Sequence, residues 1–385
     1  MRQRNLSVML RMLHHDGPHS RAELGRRTGL TRSTIAVLTS ELTELGLVRE
    51  LTAQAIPGRV GRPSALVEAN PHIAAFAIHP ETDAITVGLV GLGGEVIRRV
   101  RYTTSSPASA RETVRIVASL VEGMRADVAG QKYTVVGAGV AVPGLVRAAD
   151  GRVLLAPHLG WKNEPIAAAL TRALGVYVVA GNDSSVGAMG EFVFGAAKDV
   201  TNLVYVNGTA RGIGGGIILG GTLLSGTEGY AGELGHTLVN SQGSRCYCGR
   251  IGCLETEVNL ERLLPYLGRT QIDEDDLDIA LGVGRDPALL REVSRQADLL
   301  SEALTNFVNL FSPEMVVLAG YLGSLLSVSR ERLTEAVRVR PLGGSARSVR
   351  LERAHLRSRL MLVGAAELVF EARVLALEPT DAPLT

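Results

Sequence analysis

Hydrophobic positions change their period along the 385-residue chain. At the start they recur three and four apart: Leu6, Met9, Leu10 and Leu13 line one face of a helix predicted over residues 5–15. Gly17-Pro18 ends it. The stretch SRAELGRRTG then starts a second helix on a capping box, with Ser20 as N-cap, Glu23 at N3 and Gly29 as terminator. A third helix, LTRSTIAVLTSELTELG, has Thr31 as N-cap and turns Ile35, Leu38, Leu42 and Leu45 inward. That leaves Arg32, Ser33 and Thr34 facing outward from its first turn. Beyond Gly46, LVRELTAQAIPGRVGRPSALVEAN reads as two strands around a loop bearing Arg59 and Arg62.

From Ile73 the pattern becomes that of strands, first IAAFAIHP, then AITVGLVGLGG and EVIRRVRYTT. A helix is expected over 111–129, with Val114, Val117, Val121 and Met124 inward, followed by the apolar strand and turn VVGAGVAVPGLV. A second round of strands and helices begins near residue 176 and includes LVYVNGTARGIGGGIILGG. Meanders alternating with helices across two halves predict a duplicated α/β fold. The expected domains are residues 1–72 and 73–385, the latter with lobes at roughly 73–180, joined by the C-terminal helix, and 181–360.

Three short helices followed by a hairpin make a winged helix-turn-helix. Thr31, Arg32, Ser33 and Thr34 are its candidate base and phosphate contacts, and Arg59 and Arg62 its candidate minor-groove or backbone contacts. Charge adds a modest hint in the same direction: residues 1–70 hold ten Arg and no Lys against six acids, so the remainder of a chain with net charge +1 carries −3. No uninterrupted apolar run is long enough to cross a membrane, and the N-terminus lacks the layout of a signal peptide. The expected location is therefore cytoplasmic and reducing.

There a tight cluster of thiols points to metal before disulfide. All three cysteines fall in CYCGRIGCLE as Cys246-x-Cys248-x4-Cys253, with His236 ten residues upstream. Three thiolates and one imidazole suit a closed tetrahedral Zn²⁺ site, and Gly249 and Gly252 let the loop turn around it. Reduced structural cysteines without metal are the alternative.

GVAVPGLV, HLGWKNEP, VAGNDSSVGAMGE, GYAGELGH and CYCGRIGCLE occur in the order and approximate spacing of the ROK family. The chain resembles that family over essentially its whole length, and with its winged head it is similar to the sugar-responsive repressors of the NagC/XylR type. The resemblance implies an actin-like, two-lobed ATPase fold and a structural zinc on His236, Cys246, Cys248 and Cys253. It also implies sugar contacts at Asn182, Asp183, Glu233, His236 and Glu255. In ROK kinases the Asp matching Asp183 is the general base, but the phosphate turn Asp-x-Gly-Gly-Thr is here HPETD, His79 to Asp83. Pro80 has no N–H to offer, both glycines are gone, and Glu81 and Asp83 add negative charge. The second glycine-rich turn, NGTARGIGGG, departs from the family form, and Ala319 replaces a glycine near the adenosine. The expectation is a regulator without kinase activity: operator DNA with an inverted repeat, a sugar effector, and a homodimer or dimer of dimers. An active sugar kinase, or a regulator controlled by a protein partner, are the competing readings.

Overall fold

The computed structural model describes residues 1–51, 65–343 and 348–377. The head consists of α1 (Arg2–Asp16), β1 (His19–Ser20), α2 (Arg21–Thr28), α3 (Arg32–Glu44), β2 (Val48–Leu51) and β3 (Leu66–Ala69), with the strands in the order β1-β3-β2. Both expected N-caps form: Ser20 Oγ accepts from the Glu23 N–H at 3.1 Å and Thr31 Oγ1 from the Thr34 N–H at 3.2 Å. Only half of the capping box closes, because the Glu23 carboxylate pairs with Arg26. Gly29 ends α2 in the left-handed region, at φ 70°. Leu6, Met9, Leu10, Leu13, Ile35, Leu38 and Leu42 are buried together as expected, and Leu24 joins them. Leu45 is not: it is 54% exposed, because α3 stops at Glu44 and the turn at Gly46 delivers Leu47 to the core instead. The expected loop positions Arg59 and Arg62 lie outside the described residues.

Three residues join head to body, and they are tied down. The Asn70 N–H donates to Leu47 O at 2.9 Å, Asn70 Nδ2 to Gly46 O at 2.7 Å, and the His72 N–H to Asn70 Oδ1 at 3.0 Å.

The body then builds β4 (Ile73–Pro80), β5 (Ala84–Gly91), β6 (Val96–Thr103), α4 (Ala110–Gly130), β7 (Thr134–Val142), β8 (Leu145–Arg147), β9 (Arg152–Ala156), β10 (Trp161–Glu164), α5 (Ile166–Leu174), β11 (Val178–Asn182) and α6 (Asp183–Phe194). The main sheet runs β11-β7-β4-β5-β6, with β4 to β6 an antiparallel meander and β7 and β11 parallel to β4. The strip β10-β9-β8 sits apart as a small sheet. β4 is apolar from Ile73 to Ile78 because both its faces are covered: Phe76 and Ile78 join the core with α4 and α5, while Ala75 and Ala77 face the opposite core.

The second half adds β12 (Leu203–Thr209), β13 (Gly212–Leu219), β14 (Thr222–Leu223), α7 (Leu254–Glu257), α8 (Glu274–Val283), α9 (Pro287–Phe311), β15 (Met315–Gly320), α10 (Tyr321–Arg338), β16 (Arg350–Arg353) and α11 (Leu360–Phe370), and a π-helical turn follows at Glu371–Leu375. Its sheet order is β14-β13-β12-β15-β16. Numbered within each half, both sheets read 5-4-1-2-3, so the duplication expected from the pattern is present in the topology. α11 returns to the first sheet and packs there backbone against backbone. A Cβ on Gly139 of β7 would lie 1.8 Å from Ala365 O, and one on Gly364 would lie 2.2 Å from Val186 O of α6.

Candidate functional site

The cysteine loop is folded onto the second sheet by contacts that only glycine permits. A Cβ on Gly252 would lie 1.5 Å from Asn240 O, and one on Gly235 would lie 1.9 Å from Ile213 O. Within the loop, Cys246 Sγ lies 3.6 Å from His236 Nδ1, and Cys248 Sγ lies 3.6 Å from Cys253 Sγ. The ligand atoms of these four residues all fall within 4.8 Å of one another. A tetrahedron with metal–sulfur bonds of about 2.3 Å and a metal–nitrogen bond of about 2.0 Å has edges near 3.5–3.8 Å; the two 3.6 Å pairs match such edges, and the remaining pairs are within about an ångström of them. Cys246 and Cys253 are buried and Cys248 is exposed. The cluster can bind a metal ion.

His236 turns Nδ1 toward the sulfurs and leaves Nε2 beside Tyr247 Oη at 3.1 Å and Glu233 Oε2 at 3.8 Å. Glu255, nearly buried, approaches His236 Nδ1 at 3.3 Å and Cys246 Sγ at 3.0 Å through the same oxygen. Its other oxygen rests over Gly212 at the start of β13. The next glycine, Gly214, faces Ser184 Oγ at the first turn of α6. The β12–β13 hairpin thus brings the N-terminus of α6, with Asp183, up to the loop that holds Glu233, His236 and Glu255.

Asp183 is partly buried, and its Oδ1 accepts from the Ser184 N–H at 2.8 Å. Burial pushes its carboxyl up to about 7, with the charge of Glu233 adding to the rise and the Ser184 hydrogen bonds opposing it. Asn182 stands beside it, but its amide is largely used. Oδ1 caps α6 by accepting from the Ser184 and Ser185 N–H groups at 3.0 Å each, and Nδ2 donates to Gly144 O at 3.0 Å.

Two contributors had no signal in the sequence. Tyr247, between two cysteines, packs its ring against His236 with centroids 5.2 Å apart. Glu257, only 3% exposed, accepts from the Ser244 N–H at 2.6 Å and Asn240 Nδ2 at 3.2 Å, and Arg295 lies 3.5 Å away. It ties the floor of the loop to α9.

The ROK family model matches residues 77–372, which is most of the chain, and an IclR-type helix-turn-helix domain model matches residues 3–52. The chain belongs to the ROK family. It is similar to the xylose repressor of Caldicellulosiruptor bescii, 27% identical over 385 residues and covering 96% of both chains. Among solved structures it is similar to a ROK family transcriptional regulator described as a homolog of the E. coli MLC protein: TM-score 0.79, 26% identity, 98% of this chain and 97% of that one. A ROK glucokinase from Streptomyces griseus, solved with glucose and AMPPNP, matches with TM-score 0.65 and 26% identity over 77% of this chain and 98% of its own. The assembly of helix-turn-helix head and ROK body is that of the family's transcriptional regulators.

Within this ROK body, the turn His79 to Asp83, expected to stand where ROK kinases carry their phosphate turn, is closed on itself. The Glu81 N–H donates to Ala84 O at 2.7 Å, and Thr86 Oγ1 donates to Glu81 Oε2 at 3.0 Å. The two acids are less bare than the sequence suggests, because Arg101 lies 3.6 Å from Glu81 and 3.0 Å from Asp83. Between the lobes lies a cleft of about 200 Å³ whose lining includes His79, Glu81, Asn207, Ala319, Gly320 and Arg357.

In the head, Thr31 Oγ1 spends its capacity on the cap and on Ser33 Oγ at 3.0 Å and Thr34 Oγ1 at 2.9 Å. Arg32 and Ser33 are exposed on the first turn of α3, and among the described residues Arg32 pairs with no acid. Arg2, Arg21 and Arg49 are each held by a carboxylate of the head, Glu41, Glu50 and Glu68 respectively.

Proposed function

We propose that this protein is a cytoplasmic sugar-responsive repressor whose body binds a neutral sugar without phosphorylating it. The head reads operator DNA with Arg32, Ser33 and Thr34 on α3, Thr31 serving as the cap that presents them, and with Arg59 and Arg62 of the wing. The operator is an inverted repeat matched to a homodimer, alone or paired into a dimer of dimers. The sugar is held by Asp183, Glu233, His236 and Glu255, with Asn182 capping the helix that carries Asp183. Carboxylates and an imidazole nitrogen suit hydroxyls, which both donate and accept. His236, Cys246, Cys248 and Cys253 hold a Zn²⁺ that braces the loop. Coordination through Nδ1 fixes the ring of His236 and leaves Nε2 for the sugar.

One contrast carries this reading. Four of the five expected hydroxyl contacts, Asp183, Glu233, His236 and Glu255, keep polar atoms at one site, whereas the turn expected to cradle phosphates gives its Glu81 N–H to its own hairpin and carries two acids paired to Arg101. Phosphoryl transfer depends on positioning and charge stabilisation, so loss of that cradle weighs more than loss of any one sugar contact. Calorimetry with a monosaccharide panel is expected to find one binder and no binding of Mg-ATP at millimolar concentration. Asp183→Asn is expected to weaken the sugar response and leave DNA binding of the sugar-free protein intact.

A kinase is the second reading, favoured by one observation: a carboxyl raised to about 7 is poised for general-base work. Turnover of a few per second with any hexose or pentose in a coupled assay decides for it.

A further inference from the structure

Away from the sugar site, the head is locked to the body through a buried polar contact. His14, on α1, has its side chain fully buried, and its Nε2 lies 2.8 Å from Oε2 of Glu367 on α11, itself 1% exposed. The other ring nitrogen, Nδ1, accepts the Gly93 N–H at 2.8 Å. An N–H aimed at Nδ1 requires a lone pair there, so the ring proton is on Nε2 and donates to Glu367. Both polar ends of the ring are thus used, one by the loop after β5 and one by α11. Around it, Phe194 and Phe370 meet the ring edge-on at 5.1 and 5.4 Å.

The same seam is extended on both sides. Arg11 forks onto Glu371, with Nη2 to Oε2 at 2.6 Å, and Ser7 Oγ donates to Leu375 O at 2.5 Å. Leu6, Met9, Leu10 and Leu13 of α1 share one core with Val369, Phe370 and Leu375. One turn before Glu367, at Gly364, α11 touches the backbone of α6 at Val186, and α6 starts at Asp183. A single helix therefore contacts the sugar-side helix and the head at adjacent turns.

His14, His15 and Glu367 also bring three ligand-type atoms within 4.8 Å. A metal on His14 Nε2, however, requires the proton on Nδ1, where the Gly93 N–H already points. The contact is a hydrogen-bonded lock.

We propose that His14 and Glu367 are positioning residues for operator binding: their buried hydrogen bond sets the attitude of the head on the body and passes the state of the sugar site, through α11, to α3. The second half of this statement rests on the sugar-responsive reading above. The lock is neutral on the histidine side, so Glu367→Gln, which keeps an acceptor oxygen and the shape, preserves it. His14→Phe with Glu367→Leu removes the pair together, so neither side chain is left as a buried polar group without its partner, and the Gly93 N–H that loses its acceptor belongs to an exposed residue; circular dichroism and the melting midpoint of the double variant check that it folds.

The test uses the full-length protein, a duplex selected from a random pool by the wild type, and D-xylose as the sugar probe. Glu367→Gln is expected to bind the duplex within about threefold of wild type and to keep the D-xylose effect. The double variant is expected to lose about tenfold or more in duplex affinity, a coupling of ordinary size between two sites. Its D-xylose affinity in the absence of DNA should stay within about twofold, and the sugar's effect on the duplex should shrink toward none, as reciprocity of coupling demands. A double variant that binds the duplex and responds as wild type does overturns the proposal. So does Glu367→Gln behaving like the double variant, or a metal equivalent retained by Cys248→Ser and lost on adding His14→Phe. If the wild type itself ignores D-xylose, the sensing of that sugar fails, and duplex affinity of the variants alone decides the positioning role.

Discussion

A carboxyl raised to about 7 at Asp183 makes the stability of the body depend on pH, and Asp183→Asn exposes the size of that effect. From the ordinary 3.8 to about 7 is roughly three pKa units, about 4 kcal/mol at about 1.4 kcal/mol per unit. The folded state holds this proton more tightly than the unfolded chain. The stabilisation is therefore complete below the unfolded value and lost as pH rises through about 7. By pH 5 about 1.6 kcal/mol of it is already gone, so about 2–3 kcal/mol is lost between pH 5 and pH 8. Asparagine does not ionise, and its Oδ1 can still accept the Ser184 N–H that Asp183 accepts at 2.8 Å. The variant should therefore gain on the parent by that amount over this range and level off above it, read from urea unfolding of both proteins at several pH values. A variant-minus-parent difference that stays flat, or that falls as pH rises, would refute the assignment of a buried, raised carboxyl. The ionised form is also the better acceptor for a sugar hydroxyl, so affinity for the effector should climb with pH over the same interval in the parent alone.

Arg32→Ala should weaken binding to the selected duplex by about 1–3 kcal/mol in an anisotropy titration if the guanidinium makes a bidentate base contact, and should barely change binding to random DNA. Elemental analysis of the purified protein should find one zinc per chain, and Cys248→Ser should lose the zinc and weaken sugar binding together, since both rest on one loop. Glu257→Ala leaves the Ser244 N–H and Asn240 Nδ2 without their buried acceptor, so the melting midpoint should drop by the equivalent of about 1–3 kcal/mol, with duplex affinity of the sugar-free protein held.

The parts legible in the sequence are those that neighbours along the chain decide. Ser20 and Thr31 announce helix starts because a cap is a three-residue arrangement, and the thiols of Cys246, Cys248 and Cys253 announce a cluster because one loop carries them all. The doubled strand pattern forecast two equivalent sheets because burial on both faces leaves long apolar runs such as IAAFAI. What stayed hidden depends on distant partners. His14 and Glu367 are 353 positions apart, and only the return of α11 to the first sheet joins them. The pairing of Arg101 with Glu81 and Asp83 needs the register of β4 to β6, so the acids of HPETD read as bare charges in the sequence. Leu45 carried the right period but fell one residue past the end of its helix, where the chain had already turned.

The three-residue joint between β3 and β4 has a consequence for anyone recombining these proteins. Heads and bodies joined by a slack tether can be shuffled like beads, with new specificity grafted at the boundary. Here Asn70 ties the joint back to Gly46 and Leu47 of the head, and α1 lies against a helix from the far end of the chain. A chimera cut near residue 72 would inherit a foreign α1 facing this protein's α11, with mismatched knobs and an orphaned carboxylate at Glu367. The transferable cassette is therefore discontinuous: the first seventy residues together with the inward face of α11 and the turn after it. A recombinant built on that split unit keeps the buried seam between α1 and α11; one built on the linear cut does not.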